Sequence, residues 1–315
     1  MAADLLCMEL SSHPALSSEI PVDQRRLETF LDQEDLFMPT YHRQHDAGRL
    51  ALAEDENRTR MLEAMHRALC PGLEVSRSDV YHLSVNLMDR FLSYENVKSE
   101  RDLCATSAAC TMIGLKILRA REECLSYDYL RSYFDRVPES RIREKEKHIA
   151  KKLNWNLNAV TIANFIDELS RPLALYFETS LIRKVVTHSL TLANVSLLNH
   201  QFMKVPPSLL ASACLCDAVK HLAPHLHSKC VEELTTLARL EQDVLLQHEE
   251  SVGYMVQLKL QALESPHTST PAGLEDIESQ EFGSPAHFSF PDTSSTNCSQ
   301  QQIQNQLQYP SHEPA

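Results

Sequence analysis

With 315 residues, 43% of them hydrophobic and only six of them glycine, the chain is long enough for two domains and favours helices over turn-rich β structure. Its net charge of −13 argues against a nucleic-acid partner, because contacts to a phosphate backbone require clustered lysines and arginines. Residues 1–10 lack the basic and apolar regions of a signal peptide, and no later stretch approaches the roughly 20 apolar residues of a membrane span, so we expect a soluble intracellular protein without membrane contacts.

A first helix is predicted between Pro21 and Pro39. Leu27, Phe30 and Leu31 would share one face of this helix, and Pro39 would end it. Because so short a helix has little room for a core of its own, we expect it to pack onto the domain that follows.

Five helical segments are predicted between about residues 55 and 161. Their apolar residues recur at spacings of three and four, as on one face of a helix. Ser76 or Ser78 could cap the second segment. The third, 103–118, is apolar nearly all round, as expected of a central helix wrapped by the others. Pro138 opens the fifth.

A second set of helices is predicted between residues 161 and 263. Pro206 and Pro207 would begin one of them, and Pro224 would follow its end. Beyond this set, residues 264–315 hold six of the fifteen prolines and no lysine or arginine. Such a segment cannot bury enough apolar area to offset its conformational entropy, so we expect it to be disordered.

No motif of a common enzyme class occurs in the sequence. Glycine-rich nucleotide loops, HExxH, GxSxG and the kinase signatures are all absent. The nine cysteines are scattered rather than paired as CxxC, which indicates reduced, mostly buried thiols. A zinc-dependent enzyme would have to be built on His221, His225, His227 and Cys230, but Pro224 interrupts the helix that would align the first two. A polar loop is the favoured interpretation, and we predict no metal, cofactor or catalytic residue.

Five runs of the sequence, in the same order as in the family, resemble the cyclin box, and specifically D-type cyclins, over residues 25–262. They are RRLETFLDQEDLFMP (25–39), NLMDRFL (86–92), the alanine-rich helix that reaches Lys116, KKLNWNLNAVT (151–161) and VPPSLLAS (205–212). The resemblance implies an all-α protein of two tandem five-helix cyclin folds, with an N-terminal helix and disordered tails. The implied boundaries are a tail at 1–20, a cyclin box with its preceding helix at 21–160, a second fold at 161–263 and a degradation tail at 264–315.

The same resemblance implies a regulatory subunit, not an enzyme, that binds and activates a cyclin-dependent kinase of type four or six. The activated kinase would phosphorylate retinoblastoma-family proteins and so promote the G1/S transition of the cell cycle. In the family, a lysine at the end of the third box helix and a glutamate within the fifth make the central polar contacts with the kinase. Alignment places them at Lys116 and Glu146, with Ile117, Ala150 and Leu157 as apolar neighbours that would supply buried area. Without the resemblance, the pair would be interpreted as an ordinary surface ion pair.

Near the N-terminus, Leu5, Cys7 and Glu9 fit the pattern LxCxE. In D-type cyclins this motif docks pocket proteins of the retinoblastoma family, so it would tether the kinase to its substrate. A five-residue pattern with three fixed positions is weak alone, and by itself it favours an ordinary unstructured start. Placed before a D-like cyclin box, it is the best evidence for the D subtype.

The C-terminal segment contains Ser265, Thr270 and Ser284, each followed by proline. TSTPAGLEDIE (268–278) resembles the segment of D-type cyclins whose phosphothreonine triggers nuclear export and destruction, so Thr270 is the candidate phosphorylation site. The resemblance thus implies a ubiquitin ligase and kinase inhibitors as further partners, and a location in nucleus and cytoplasm.

The sequence departs from the family in two places. The first box helix usually reads MRxxLxxW followed by a glutamate, and its surface recruits partners with an RxL motif. Here Met65 aligns with the tryptophan and Ala68 with the glutamate, and the arginine is displaced to Arg58 or Arg60 or missing. The family's ASKLKE run becomes IGLKILR, with a reversed charge at Arg119. These departures motivate the alternative of a cyclin-fold adaptor that binds pocket proteins or transcription factors without activating a kinase.

Overall fold

The computed structural model describes residues 25–39, 55–71, 75–95, 97 and 99–264. Among these residues there are eleven α-helices and no β-strand, so the predicted all-α fold is confirmed. The helices are α1 (Arg25–Gln33), α2 (Asp55–Leu69), α3 (Ser78–Tyr94), α4 (Glu100–Leu118), α5 (Tyr127–Arg131), α6 (Glu139–Lys152), α7 (Ile162–Leu173), α8 (Thr179–Ser196), α9 (Pro207–Leu222), α10 (His227–Leu237) and α11 (Gln242–Glu264). They form two tandem folds of five helices, α2–α6 and α7–α11, preceded by α1. The tails that we expect to be disordered lie outside the described residues, apart from Glu264, which is the last residue of α11.

Helix α4 is the centre of the first fold. Every residue from Leu103 to Leu115 is buried, and the helix packs against α2, α3, α5 and α6. The hydroxyl of Ser99 caps its first turn by accepting a bond from the N–H of Asp102. At Gly114 a Cβ atom would lie 2.8 Å from the Ser84 hydroxyl, so the close approach of α3 requires glycine there.

Helix α9 has the same role in the second fold. Its residues from Ser208 to Val219 are buried, and it packs against α7, α8, α10 and α11. Pro207 is its first residue, and Pro224 opens a single 3₁₀ turn after it, as the proline positions predict. No helix in the described ranges is both long enough and apolar enough to span a membrane.

The N-terminal helix packs against α7 of the second fold, whereas we expected it to pack onto the fold that follows it in the chain. The Phe30 ring of α1 packs edge-on against Phe165 of α7, with ring centres 5.9 Å apart. In the 3₁₀ turn after α1, the buried Glu34 carboxylate accepts bonds from the N–H and hydroxyl of Ser208, at 2.9 and 2.8 Å. These bonds cap the first turn of α9. The carbonyl of Phe37, in the same turn, accepts a bond of 2.9 Å from the side-chain amide of Asn86 in α3, so this turn joins the two folds.

The start of α3 differs from the predicted cap. Arg77 occupies the capping position and makes no side-chain capping bond, so neither Ser76 nor Ser78 caps the helix. The Ser78 hydroxyl instead accepts a bond of 3.1 Å from the amide of Asn194 in α8. Its role is therefore to join the two folds.

A buried ion pair connects α2, α3 and the second fold. The guanidinium of Arg58 donates to both carboxylate oxygens of Asp89, at 2.9 and 2.7 Å, and both residues are 3% exposed. Its remaining terminal nitrogen donates to the carbonyl of Leu197, which follows α8, at 2.9 Å. Because buried charges are tolerated only when paired and hydrogen-bonded, this contact requires the second fold to be docked.

His82 makes a second buried link between the folds. Its Nδ1 accepts a bond of 3.0 Å from the N–H of Ala163 in α7, and its Nε2 lies 2.8 Å from the Asn194 amide oxygen. An Nδ1 that accepts must be unprotonated, so the ring is neutral with its proton on Nε2. Burial lowers the pKa of His82 to about 4.

Replacement of Arg58 by methionine should lower the free energy of unfolding by about 3–5 kcal/mol, because Asp89 would keep a buried charge without a partner. Adding Asp89→Leu should recover much of that loss. Arg60→Met is the matched control, since Arg60 forms an exposed ion pair with Glu100, and it should change stability by at most about 1 kcal/mol. Urea unfolding gives the free energy of unfolding of the natural chain, the two single variants and the double variant. Equal losses for the two single variants would contradict the role given to Arg58.

Stability should fall in mild acid because of His82. The unfolded chain takes up this proton near the ordinary histidine pKa of about 6.5, whereas the folded chain resists until about 4. The unfolded state therefore binds more protons in this window, and the free energy of unfolding decreases as pH falls through it, by about 2 kcal/mol for this residue between pH 7 and pH 5. Urea unfolding at the two pH values measures this effect: between pH 7 and pH 5 the free energy of unfolding of His82→Gln should fall by about 2 kcal/mol less than that of the natural chain. The same pH dependence in the variant and the natural chain would contradict the role given to His82.

Candidate functional site

Lys116 and Glu146 lie together on one face of the first fold. The ammonium of Lys116, near the end of α4, donates to both oxygens of Glu146 in α6, at 2.9 and 2.7 Å. The Lys116 side chain is 47% exposed and that of Glu146 is 13% exposed. The predicted pair therefore exists in the structure, and a partner could still reach its lysine.

Tyr127, at the start of α5, completes this cluster. Its hydroxyl accepts a bond of 2.9 Å from Lys116 and lies 3.2 Å from both Glu146 oxygens, to which it can donate. The guanidinium of Arg143 stacks on its ring, 4.4 Å from the centre. Partial burial lowers the pKa of Lys116, but the bonds to Glu146 and Tyr127 outweigh this effect and leave the pKa above its ordinary value. We call Lys116, Tyr127 and Glu146 the polar triad.

A second ion cluster fixes α6 against α4. Asp102, in the first turn of α4, accepts a bond of 2.7 Å from the buried Lys145 and one of 2.9 Å from Arg141. Burial raises the pKa of Asp102, but its bonds to the two cations outweigh this effect and hold the pKa below the ordinary value. These contacts set the position of the residue that follows Lys145, namely Glu146, relative to Lys116.

The predicted apolar neighbours differ in what they offer a partner. Ile117 is 37% exposed and Leu157 is half-buried, but Ala150 is only 4% exposed and could contribute little area. Sequence reasoning missed Trp155, which is 72% exposed and lies in the turn after α6. Its backbone N–H donates to the carbonyl of Ala150 at 2.8 Å. The signal was available, since this is the only tryptophan of the chain and it stands in the polar run KKLNWNLN.

The backbone at Trp155 is unusual. Both Asn154 and Trp155 have positive φ angles, 50° and 59°, a region that bulky side chains rarely adopt. Such conformations persist where the surroundings impose them, often at binding sites. Because Trp155 follows α6, the helix that carries Glu146, we group it with the polar triad, and the end of α4, the start of α5 and the end of α6 become the best candidate for a docking surface. We call this surface the triad face.

The first box helix is shifted by one residue from the predicted alignment. Met65 and Ala68 are both fully buried and belong to the core of the first fold. Arg58 is the arginine that packs within the fold, and counting from it places the tryptophan position of MRxxLxxW at Ala64. The glutamate position then falls at Arg67. At both positions the residue found here, alanine for tryptophan and arginine for glutamate, therefore differs more from the family's residue than the predicted alignment indicated.

The reversed charge at Arg119 has an internal partner. Its guanidinium donates to both oxygens of Asp79 in the first turn of α3, at 2.8 and 2.6 Å, and also to the carbonyl of Ser76 at 3.1 Å. The bonds to Asp79 raise the pKa of Arg119. Arg119 thus ties the end of α4 to the start of α3 and is already neutralised there.

Two histidines of the zinc alternative, His221 and His227, have separate partners. His221 contacts the backbone carbonyl and the carboxylate of Asp217, and His227 lies 3.0 Å from the Glu249 carboxylate. Cys230 is buried. Within the described ranges, no group of three or more such side chains could hold a metal ion.

Two predicted motifs cannot be compared with the structure. The LxCxE residues, Leu5, Cys7 and Glu9, and the phosphorylation candidate, Thr270, lie outside the described residues. Their roles, like the kinase-binding role of the triad face, stay predictions.

Comparison with known proteins agrees with the two-fold architecture. The family model described as "Cyclin, N-terminal domain" matches residues 27–158, and "Cyclin, C-terminal domain" matches residues 160–287. G1/S-specific cyclin-D1 of Danio rerio is 24% identical over 88% of this chain and 96% of its own length. G1/S-specific cyclin-D1 of Bos taurus is 26% identical over 82% and 88%, and G1/S-specific cyclin-D2 of Rattus norvegicus is 25% identical over 87% and 99%.

A solved structure shares the fold. It is the X-ray structure of a viral cyclin from herpesvirus saimiri, with a TM-score of 0.58, 20% sequence identity, and coverage of 74% of this chain and 96% of the viral one.

Tyr127→Phe should lower the pKa of Lys116, because it removes one of the two side-chain bonds that raise it. Tyr129→Phe is the matched control: Tyr129 lies in the same short helix, and its hydroxyl contacts Tyr133 instead of the triad. NMR titration of ¹³C-labelled lysine side chains gives the pKa of Lys116 in the natural chain and in both variants. If both variants leave the Lys116 titration unchanged, the triad geometry is wrong.

Proposed function

Because this chain belongs to the cyclin family, as a divergent relative of the D-type members, we propose that it binds and activates a cyclin-dependent kinase of type four or six. Cyclins are regulatory subunits, so the chemistry would belong to the partner. The observation that supports the proposal is the triad face, where Lys116 and Glu146, at the positions that the resemblance assigns to the family's kinase contacts, form one ion pair, and where the exposed Trp155 follows the helix that carries Glu146.

The proposed mechanism is a shift of the kinase between two states. A protein kinase is inactive when its αC helix is swung outward, because the αC glutamate then cannot reach the lysine that orients the ATP phosphates. A chain that binds the inward state of the kinase more tightly than the outward state raises the ratio of inward to outward kinase. At saturation this ratio rises by the ratio of the two affinities. On the triad face, Ile117, Leu157 and Trp155 would cover apolar surface of the docked helix. Lys116 and Glu146 would bond to backbone groups at its rim.

We further propose that the LxCxE segment holds a retinoblastoma-family protein beside the activated kinase. Leu5 and Cys7 would enter apolar pockets, and Glu9 would meet N–H groups or a basic rim. Phosphorylated Thr270 would be the signal for nuclear export and for a ubiquitin ligase, so the chain would work in nucleus and cytoplasm. Kinase inhibitors would be further partners.

An adaptor function is the second candidate, and the altered α2 surface favours it. With Ala64 and Arg67 at the tryptophan and glutamate positions, the surface that recruits RxL partners in the family has lost both of its characteristic side chains. A chain that bound a kinase or a pocket protein without raising kinase activity would have this function.

The deciding experiment is phosphorylation of a retinoblastoma fragment by purified kinase four or six, alone and with the chain added. We expect activation by the natural chain. Lys116→Glu should weaken kinase affinity at least about thirtyfold, since breaking a buried charge pair at an interface removes about 2 kcal/mol or more. Lys184→Glu, at an exposed lysine of α8, is the matched control and should activate normally.

Two further variants separate the alternatives. Swapping both charges, Lys116→Glu with Glu146→Lys, should rebuild the internal ion pair but not kinase binding. Recovery of binding would show that the pair is only structural. Alanine at Leu5, Cys7 and Glu9 should slow phosphorylation of the retinoblastoma fragment but not of a short peptide substrate. Kinase binding without activation would favour the adaptor.

A further inference from the structure

The last helix of the second fold, α11, has apolar side chains on two opposite sides. On one side, Leu245, Val252 and Val256 are buried where α11 packs against α8, α9 and α10. On the other side, Tyr254 is 62% exposed and Leu258 is 41% exposed. Because they are four residues apart, these two side chains lie one turn apart on the same face of the helix. We call Tyr254 and Leu258 the α11 face.

An exposed lysine borders the α11 face. The amide of Asn199, which follows α8, donates to the sulfur of Met255 at 3.1 Å. The 3₁₀ turn that comes next, His200–Lys204, ends about 10 Å further along at 2.0 Å per residue. Lys204 is exposed and has no carboxylate partner in the described part of the chain. Between residues 247 and 261, Glu250 is the only exposed carboxylate of α11. An apolar segment that carries acidic side chains therefore suits this surface.

The chain continues past α11 with a segment of this kind. The cyclin C-terminal family model matches the chain as far as residue 287, beyond the last described residue, Glu264. Within that stretch, Leu274 and Ile277 are three residues apart, as on one face of a helix. Proline is common at the first position of a helix and glycine just after its end, as at Pro271 and Gly283. Residues 271–282 hold no cation and four carboxylates, those of Glu275, Asp276, Glu278 and Glu281.

The length of the connection allows residues 271–282 to fold back along α11. Residues 265–270 would form a loop of six residues, and helices packed side by side are usually joined by roughly two to eight. Ile277 stands six residues after the start of the segment, and Leu258 stands six residues before the end of α11, each about 9 Å from the loop at 1.5 Å per residue. An antiparallel arrangement therefore brings Ile277 beside Leu258.

We propose that residues 271–282 dock on the α11 face as an antiparallel helix. Leu274 and Ile277 cover the two exposed side chains of α11, and the carboxylates of the segment pair with Lys204. A helix of this length is marginal in water alone, so it requires the apolar surface. The contact involves no kinase, so the inference goes beyond the proposed function.

The tail contains a second apolar pair, Ile303 and Leu307, which is the weaker candidate for this surface. It lies beyond the family match, and residues 293–311 around it carry no charge that could pair with Lys204.

Hydrogen–deuterium exchange of the full chain, read by mass spectrometry, tests the docking. We expect the backbone amides of residues 274–282 to exchange at least about fivefold more slowly than those of an unstructured chain. Replacing both apolar residues, Leu274→Asp with Ile277→Asp, should remove this protection. The matched control, Ile303→Asp with Leu307→Asp, should leave it unchanged.

Variants of the second fold test whether the α11 face is the docking surface. Leu258→Glu should remove the protection of residues 274–282, because it places a charge where Ile277 packs. The matched control is Leu175→Glu, at a leucine after α7 that is 64% exposed, and it should preserve the protection. Lys204→Glu should weaken the protection, whereas Lys184→Glu, at an exposed lysine of α8, should not.

Dilution distinguishes docking within one chain from docking between two copies, because only the first is independent of chain concentration. The proposal is overturned if residues 274–282 are unprotected in the natural chain, if Leu258→Glu leaves them protected, or if the control pair Ile303 and Leu307 proves to be the one required. Protection that disappears on dilution would indicate a second copy and also overturn it. Equal effects of Lys204→Glu and Lys184→Glu would overturn the charge pairing. No kinase is present, so failure here leaves the kinase proposal intact, and the reverse also holds.

Discussion

The guanidinium of Arg58 and the carboxylate of Asp89 lie where neither charge has water to stabilise it. An ion in that position requires an opposite charge and further hydrogen bonds, and the last of these bonds comes from the carbonyl of Leu197, 139 residues away along the chain. The first fold therefore satisfies its buried charges only with the second fold docked. His82 makes a further polar link between the folds, and Glu34 joins the N-terminal segment to the second fold. The two folds thus form one unit held by buried polar groups.

This constraint also affects the triad face. Arg58 and Asp89 belong to α2 and α3, which pack on α4, the helix that carries Lys116. The triad takes one side chain from each of α4, α5 and α6, so its geometry depends on how these helices pack around the core. An exposed pair alone would be worth no more than about 1 kcal/mol to stability. Its value would lie at a partner surface, where the same charges would be desolvated and bonded to backbone groups.

The sequence predicts what depends on local periodicity and fails where distant residues meet. The all-apolar pattern of α4 identified the central helix, and prolines marked the start and end of α9. Arg58 could not be recognised as buried, because an arginine in the first turn of a helix usually faces water. That ambiguity misplaced the α2 alignment by one residue, which moved the expected groove residues to Met65 and Ala68. Tyr127 gave no signal, since its partners are 11 and 19 residues away and meet it only through packing.

Trp155 permits the most direct test of the central claim, that the triad face is the surface that binds the kinase. It is the only tryptophan, so 5-fluorotryptophan labelling of the chain gives a single ¹⁹F resonance from this face. Titration with unlabelled kinase four or six should shift or broaden that resonance and protect it from a soluble paramagnetic probe, and Lys116→Glu should prevent both changes. A resonance that stays sharp, unshifted and accessible while the kinase is bound would contradict the account.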